Sequence, residues 1–440
     1  MLDLSNLEHK DYAIANVTVV DPKAGRAFPG FVGVERGKIA FVEEGKAGKE
    51  VSLPLYDGRG LHLAPGFVDI HVHLREPGHE YKETVQTGTA AAVAGGFTSV
   101  ACMPNTDPAI DERSVVEFVL KQARIAGLAK VYPIAAATRG RRGETLSEYF
   151  ELAEAGAVAV SDDGAPVSSA DMARRVLEYA TAVGIPLVEH CEDMDATRGG
   201  VMNEGFYSTK LGLVGAPAYS EVLCLARDLL VLEVVPGARL HAAHISAKGS
   251  VAELRRAKER GLSVTAETAP HYLCLEDKEL ETYNTNMRIN PPLRGAEDRE
   301  AIIAALVDGT IDCVASDHAP HALQEKQVEF DAAPPGTVGL ETTFPLIVTH
   351  LVEPGHLRLP QALALITHKA ASCLGIPGGT LDRGAAADLV LFDPKEEWIV
   401  HPDDLHSRSK NSAFIGAAVR GRVKCTIVDG ASVSVSLVGA

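Results

Sequence analysis

The sequence predicts an α/β fold, a (β/α)₈ barrel of the TIM type with a small β-sandwich domain formed from both chain ends. Two patterns predict this fold. In the middle of the chain, eight short apolar runs alternate with stretches of helical periodicity, which is typical of the strand–helix units of a parallel barrel. At the two ends, strand patterns and turns occur with little helical periodicity. A chain of 440 residues is long enough for one large domain and a smaller one.

The eight predicted barrel strands are short runs of apolar and β-branched residues. Continuous apolar runs are typical of parallel strands that are buried on both faces. The runs lie at 66–72, 98–103, 131–137, 157–161, 185–190, 239–245, 262–267 and 311–316.

The segments between these runs carry apolar residues at helical spacing. Several of them end in glycine, which commonly terminates a helix. The clearest segments lie at 83–96, 112–127, 146–156, 170–184, 251–261 and 298–309. Together with the strands they predict a barrel over residues 61–384.

The strand patterns at the chain ends lie at residues 11–60 and about 385–435. Neither stretch is long enough to bury a good core by itself. We therefore expect residues 1–60 and 385–440 to fold together as one composite β-sandwich domain beside the barrel.

Composition and charge exclude several classes of protein. The net charge is −17, and so acidic a surface disfavours nucleic-acid binding. No apolar run approaches the roughly 20 residues that span a bilayer, and the first ten residues lack the pattern of a secretion signal. The seven cysteines are scattered and never spaced as CxxC, which argues against a disulfide framework or a thiolate zinc knuckle. We expect a cytoplasmic enzyme with a small-molecule substrate and no nucleic-acid or membrane partner.

Metal-binding residue types stand at the ends of several predicted strands, which is where a barrel carries its chemistry. His71 and His73 end the first strand, and residues two apart on a strand point to the same face. The fourth, fifth, sixth and eighth strands add Asp162 and Asp163, His190, His241 and His244, and Asp317. Nitrogen and oxygen donors without sulfur suit Zn²⁺ or a similar divalent ion. Their number suffices for two ions bridged by a carboxylate.

Longer motifs resemble the signatures of the dihydroorotase family, within the amidohydrolase superfamily, and the pattern is similar to the bacterial type I form. PGFVDIHVHLREPG (65–78) and SDHAPH (316–321) carry most of the resemblance. The supporting motifs are MPNT (103–106), SDDG (161–164), EHCED (189–193), AHIS (243–246), TAETAPHYL (265–273), NPPLR (290–294), GTVGLET (336–342) and NSAFIGAAVRGRV (411–423). The resemblance implies a metal-dependent, reversible interconversion of N-carbamoyl-L-aspartate and (S)-dihydroorotate in de novo pyrimidine biosynthesis.

The resemblance also implies roles for the strand-end residues, with Zn²⁺ as the cofactor and two ions per chain. His71 and His73 bind the more buried ion, and His190 and His244 bind the second. Asp163 is the bridge, with Asp162 as its rival, and His244 is preferred to His241 because AHIS fits the family motif. Asp317 completes the first site and acts as the general acid and base.

Six substrate-binding residues follow from the same resemblance. Arg75 is expected to bind the ring carboxylate bidentately, with Asn105 and His321 as further donors. Asn290 and the backbone at Pro335 and Gly336 are expected to bind the polar edge of the ring. The polar segment 318–336 is either a surface loop or a lid over the substrate.

Three other functions stay open as alternatives. A dihydropyrimidinase (hydantoinase) or an allantoinase is expected to have a bridging lysine and other residues at Arg75 and Asn105. A non-catalytic partner of aspartate transcarbamoylase is expected to lack some of the histidines. The resemblance leaves open a homodimer and a complex of the active enzyme with aspartate transcarbamoylase.

Overall fold

In a computed structural model, which describes residues 2–3, 7, 11–48 and 51–433, the strands form one parallel barrel, one mixed sheet and one short two-stranded parallel sheet. The described strands are β1 Leu2–Asp3, β2 Tyr12–Asp21, β3 Arg26–Glu35, β4 Lys38–Glu44, β5 Leu55–Asp57, β6 His62–Pro65, β7 Phe67–Val72, β8 Phe97–Cys102, β9 Lys130–Ala136, β10 Ala159–Ser161, β11 Leu187–Glu189, β12 Met202–Asn203, β13 Gly215–Ala216, β14 Leu240–Ala242, β15 Val264–Thr268, β16 Cys313–Val314, β17 Leu389–Ile399, β18 Ala418–Val428 and β19 Ala431–Val433.

The helices lie mainly between the barrel strands. They are α1 Val85–Ala94, α2 Arg113–Ala126, α3 Tyr149–Ala155, α4 Ala170–Val183, α5 Met194–Thr197, α6 Phe206–Leu211, α7 Tyr219–Val234, α8 Lys248–Glu259, α9 Pro270–Cys274, α10 Ala296–Asp308, α11 Leu323–Lys326, α12 Thr343–Ile347, α13 Leu359–Ala364 and α14 His368–Leu374. Short 3₁₀-helices lie at Arg139–Arg141, Asp277–Thr282, Thr285–Met287 and Pro402–Asp404, and a π-helical turn lies at Val348–Val352. Among the described residues, no helix combines the length and apolar character needed to cross a bilayer.

The barrel strands pair in parallel in the order β7, β8, β9, β10, β11, β14, β15 and β16. The last strand meets the first through a bridge between Val72 and His318, where the His73 amide donates to the His318 carbonyl at 2.8 Å. Each predicted barrel strand overlaps one observed strand, so the predicted barrel is confirmed. Every residue of β7 and β8 is buried, which accounts for the predominance of apolar residues on both faces of these strands.

Local signals in the sequence account for the helix boundaries. Thr84 begins α1 by accepting a hydrogen bond from the Thr87 amide, and Ser169 begins α4 in the same way. Gly127 and Gly184 end α2 and α4 in the left-handed conformation, which glycine adopts without a steric penalty. All six predicted helical segments contain a helix, and α7 is a further helix of 16 residues.

Within the described residues, the chain ends fold together in a mixed sheet of nine strands. Strands β1 to β6 join β17, β18 and β19 through the antiparallel pair β6–β17, in which Pro65 lies opposite Leu389. Tyr12, Val32 and Leu391 belong to the apolar cluster of this sheet. The joint folding of the two ends is confirmed, and β6 extends the sheet past residue 60. The division into 1–60 plus 385–440 and 61–384 stays a prediction, and its parts at 1, 4–6, 8–10, 49–50 and 434–440 lie outside the described residues.

Candidate metal and substrate site

One cluster at the carboxyl ends of the barrel strands consists of His71, His73, Asp163 and Asp317. His71 Nε2 lies 3.4 Å from Asp163 Oδ1 and 3.6 Å from Asp317 Oδ1. His73 Nε2 lies 3.6 Å from Asp163 Oδ2 and 3.2 Å from Asp317 Oδ1. All four side chains are buried. Two imidazoles and two carboxylates therefore face one another across a small volume.

A second cluster shares Asp163 with the first. His244 Nε2 lies 3.5 Å from Asp163 Oδ1, and His190 Nδ1 lies 3.9 Å from the same oxygen. The two imidazole nitrogens lie 2.9 Å apart. Asp163 thus belongs to two triads of potential metal ligands, His71–His73–Asp163 and Asp163–His190–His244, in each of which the donor atoms lie within 4.8 Å of one another.

The structure separates the rival residues from these triads. Asp162 accepts hydrogen bonds from the Thr138 amide at 3.0 Å and from Thr138 Oγ1 at 2.5 Å. His241 contacts Thr265 Oγ1 at 2.8 Å and Glu267 Oε2 at 3.2 Å. Neither residue is a member of either triad, although both are buried close by.

The donor set has the chemistry to hold a divalent ion. Within the described part of the chain, His71 Nε2 and Asp163 Oδ1 are buried and form no hydrogen bond, a state that costs free energy unless a cation or water satisfies them. Burial alone would raise the pKa of Asp163, but the imidazoles of His71 and His244 hold it well below its usual value. Burial opposes ionisation of Asp317 too, yet its hydrogen bond with His73 and the charge of His71 lower its pKa. Ionised carboxylates and imidazoles without sulfur suit Zn²⁺.

Arg75 and His321 form the candidate carboxylate-binding group. Arg75 Nε donates to the Pro320 carbonyl at 3.2 Å, and its Nη2 lies 3.4 Å from His321 Nε2. His321 Nε2 is 2.9 Å from the Pro335 carbonyl, so this nitrogen carries the proton and its approach to Arg75 is a contact only. Burial lowers the pKa of Arg75 to about 10, which leaves the guanidinium charged at neutral pH. Burial, with the charge of Arg75, lowers the pKa of His321 to about 2, so this imidazole is neutral.

Of the other predicted substrate-binding residues, Asn105 and Asn290 lie beside the histidine triads, and Gly336 lies beside His321. Asn105 Oδ1 accepts from His73 Nδ1 at 2.8 Å, and Asn290 Nδ2 lies 3.3 Å from His190 Nε2. Both amides therefore contact histidines of the triads. Gly336 lies beside His321, with a φ of 140°, and a Cβ atom there would lie 2.8 Å from the Ala319 Cβ and 3.1 Å from His321 Cδ2. Only glycine fits so close an approach without displacement.

Comparison with known proteins places this site in a family. A family profile described as Dihydro-orotase-like matches residues 60–250, and one described as Amidohydrolase family matches residues 233–434. The dihydroorotase of Trichlorobacter lovleyi is 47% identical over 412 residues, which cover 94% of this chain and 96% of that protein. The dihydroorotase of Syntrophotalea carbinolica is 47% identical over 95% of this chain and 97% of its own length. The chain belongs to the dihydroorotase family, within the amidohydrolase superfamily.

Solved structures share the fold of this dihydroorotase-family chain. L-hydantoinase from Arthrobacter aurescens superposes with a TM-score of 0.86 at 25% identity and covers 97% of this chain and 96% of its own. Dihydropyrimidinase from Brevibacillus agri gives a TM-score of 0.81 at 22% identity, over 96% and 95% of the two chains. The predicted fold class is thus confirmed from outside the dihydroorotase family.

Two glutamates of the site were not predicted as functional residues. Glu267 Oε1 lies 2.6 Å from His71 Nδ1, and Glu192 Oε2 lies 2.9 Å from His190 Nε2. Both stand inside motifs of the dihydroorotase resemblance, TAETAPHYL and EHCED. Their position at the carboxyl end of β15 and just after β11 was the available signal.

Both ends of segment 318–336 form hydrogen bonds with one residue, Asn411, which lies in the stretch between β17 and β18. Asn411 Nδ2 donates to the carbonyls of Ala319 at 3.2 Å and Gly336 at 3.1 Å. Asn411 Oδ1 accepts from the His321 amide at 3.0 Å. Within the segment, Lys326 Nζ donates to the Pro334 carbonyl at 2.7 Å. The lid role of segment 318–336 stays a prediction.

Proposed function

We propose that the chain catalyses the reversible interconversion of N-carbamoyl-L-aspartate and (S)-dihydroorotate in de novo UMP biosynthesis. The observation that carries the proposal is the pair of ligand triads that share Asp163, in a chain 47% identical to dihydroorotases over nearly its whole length. The reaction makes or breaks one amide bond of a six-membered ring, and ring closure is the biosynthetic direction.

The proposed cofactor is Zn²⁺, with two ions per chain. His71, His73, Asp163 and Asp317 would hold the first ion, and Asp163, His190 and His244 would hold the second. The unpartnered atoms His71 Nε2 and Asp163 Oδ1 support this assignment. Bound zinc ions lower the pKa of water towards neutrality and polarise a carbonyl oxygen.

Asp317 is the proposed general acid and base. Its lowered pKa keeps the carboxylate ionised at neutral pH, so it can accept a proton from the attacking water. The same proton is then delivered to the ring nitrogen as the amide bond breaks. In ring closure the order is reversed, and Asp317 removes the proton from the carbamoyl nitrogen.

Arg75 gives the proposed specificity for the carboxylated ring. Its guanidinium is buried and charged, and its nearest partners are a carbonyl and a neutral imidazole rather than a carboxylate. A substrate carboxylate would supply the missing negative charge, and a ring without one would leave a buried cation unpaired. His321, Asn105, Asn290 and the backbone at Pro335 and Gly336 would hold the rest of the ring.

The proposal is tested by turnover of dihydroorotate beside dihydrouracil, hydantoin and allantoin with zinc-loaded protein. We expect strong preference for dihydroorotate. Preference for dihydrouracil, hydantoin or allantoin would instead favour a dihydropyrimidinase, a hydantoinase or an allantoinase and would remove the role of Arg75. Binding of zinc without turnover of any of the four would indicate a required partner or an untested substrate. A chain that neither binds zinc nor turns over any of the four would favour the non-catalytic alternative.

A cytoplasmic location and a homodimer complete the proposal. An exposed apolar stripe on α7, formed by Tyr219, Leu223, Leu230 and Val234, supports a contact with another subunit, because each of these side chains is 51–68% exposed. The molar mass of the purified chain by light scattering tests the homodimer. A monomer that gains mass with aspartate transcarbamoylase would favour the complex with that enzyme instead.

A further inference from the structure

The histidines of the two triads each have a second ring nitrogen that faces away from Asp163. A neutral imidazole has one N–H and one lone pair, so a hydrogen-bond acceptor at the outer nitrogen fixes the proton there. The lone pair of the inner nitrogen then points into the site. What holds the outer nitrogens therefore decides whether the rings are ready to bind a cation.

Glu267 holds His71 of the first triad. Its Oε1 atom lies 2.6 Å from His71 Nδ1, while His71 Nε2 faces Asp163. The second carboxylate oxygen lies 3.2 Å from His241 Nε2, which fixes the carboxylate from behind. All three side chains are buried, so neither water nor salt competes for these contacts.

Glu192 contacts His190 of the second triad at Nε2, whereas Glu267 contacts His71 at Nδ1. Its Oε2 atom lies 2.9 Å from His190 Nε2, while His190 Nδ1 faces Asp163 and His244. Asn290 Nδ2 donates to the same carboxylate oxygen at 3.0 Å. Each triad therefore has one histidine whose outer nitrogen contacts a glutamate, Glu267 in the first triad and Glu192 in the second.

We infer that Glu267 and Glu192 are positioning residues for the two metals separately, Glu267 for the His71–His73 site and Glu192 for the His190–His244 site. The inference rests on the proposed metal centre and adds residues that lie outside the ligand set. Each carboxylate accepts a hydrogen bond from the outer N–H of its histidine and fixes the orientation of the ring. This hydrogen bond also makes the inner nitrogen a stronger electron-pair donor to a cation. Loss of such a partner typically weakens metal binding by about 10- to 100-fold.

The test is the zinc affinity of the full chain and of Glu267→Gln and Glu192→Gln, measured by competition with a chelator of known affinity. Anomalous diffraction at limiting zinc reports which of the two positions has lost occupancy. Glu341→Gln is the matched control, because Glu341 accepts from His406 Nδ1 at 2.8 Å outside both triads. Circular dichroism of the metal-free proteins reports folding. If Glu267→Gln does not fold, Glu267→Asp replaces it in the affinity measurement, because it keeps the charge but shortens the side chain.

We expect Glu267→Gln to weaken the His71–His73 position by about 10- to 100-fold and Glu192→Gln to weaken the His190–His244 position similarly. The other position should stay within about threefold in each variant, and Glu341→Gln should match the parent. Unchanged affinities in both variants, or equal loss at both positions, would overturn the inference while leaving the metal centre in place. A parent chain that binds no zinc would overturn the metal centre and the inference together.

Discussion

Asn105 Oδ1 accepts a hydrogen bond from His73 Nδ1 at 2.8 Å, so a proposed substrate residue also holds a proposed metal ligand. Substitution of Asn105 would therefore disturb both functions at once. Arg75 contacts Pro320 and His321 instead, away from the ring nitrogens of the two triads. Arg75 is the residue through which substrate binding is tested separately from metal binding.

Arg75→Lys should lower kcat/KM for dihydroorotate by about 10- to 100-fold, because a single ammonium replaces a bidentate guanidinium at a buried carboxylate. Turnover of dihydrouracil, which has no carboxylate, should change far less. Steady-state kinetics with both substrates measures the difference, and zinc content per chain should equal that of the parent. Equal damage to both substrates would contradict the carboxylate role.

Asp163→Asn and Asp162→Asn should differ in zinc content. The first removes the carboxylate that both triads share, so we expect the loss of one or both ions. The second alters a side chain that is bonded to Thr138, so it should keep the parent's zinc per chain even if it unfolds more easily. Elemental analysis after dialysis measures both. A metal-free Asp162→Asn beside a zinc-loaded Asp163→Asn would reverse the assignment.

Asp317→Asn should keep zinc but lose turnover. The amide retains one ligand oxygen and cannot accept the proton that the reaction transfers, so we expect a fall in kcat of about 10²- to 10⁴-fold. Asp312→Asn is a control on the same stretch of chain, since Asp312 pairs with Lys258 at 2.7 Å outside the site. Near-parental kcat in Asp317→Asn would remove its role as general acid and base.

Lys326 should make the stability of the chain depend on pH. Burial, helped by the charge of Arg288, lowers its pKa from 10.5 to about 7 in the folded chain. Between these pH values the unfolded chain binds more protons at this site, so its contribution to the free energy of unfolding rises as pH increases from about 7 to 10.5. Urea unfolding of the parent and of Lys326→Met at several pH values measures it. A difference between the two that does not change with pH would contradict the shift.

The barrel could be predicted from the sequence because its strands are buried on both faces. A run such as 66–72 is then mainly apolar and β-branched, apart from Asp69 and His71, and no tertiary information is needed to find it. The placement of His71 and His73 on one face follows from the alternation of side chains along a strand. Local periodicity in the sequence is therefore enough to predict the barrel strands and the shared face of these two histidines.

The contacts that decide the site depend on residues far apart in the chain. Thr138 donates a hydrogen bond to Asp162, which lies 24 positions further along the chain. Nothing in the SDDG motif indicates which of its two aspartates accepts this hydrogen bond. Glu267 reaches His71 across 196 positions, and Asn411 reaches His321 across 90. A glutamate at a strand end or an asparagine in a loop has no periodic signature, so only the folded chain shows these contacts.

The proposed metal centre is tested most directly by turnover of dihydroorotate during zinc titration of the metal-stripped chain. We expect no turnover without zinc, a rise as zinc is added, and a maximum when two ions are bound per chain. Substitution of Asp163 should abolish that rise. Full turnover by the metal-free chain, or no turnover with two zinc ions bound, would contradict the proposed metal centre as the source of activity.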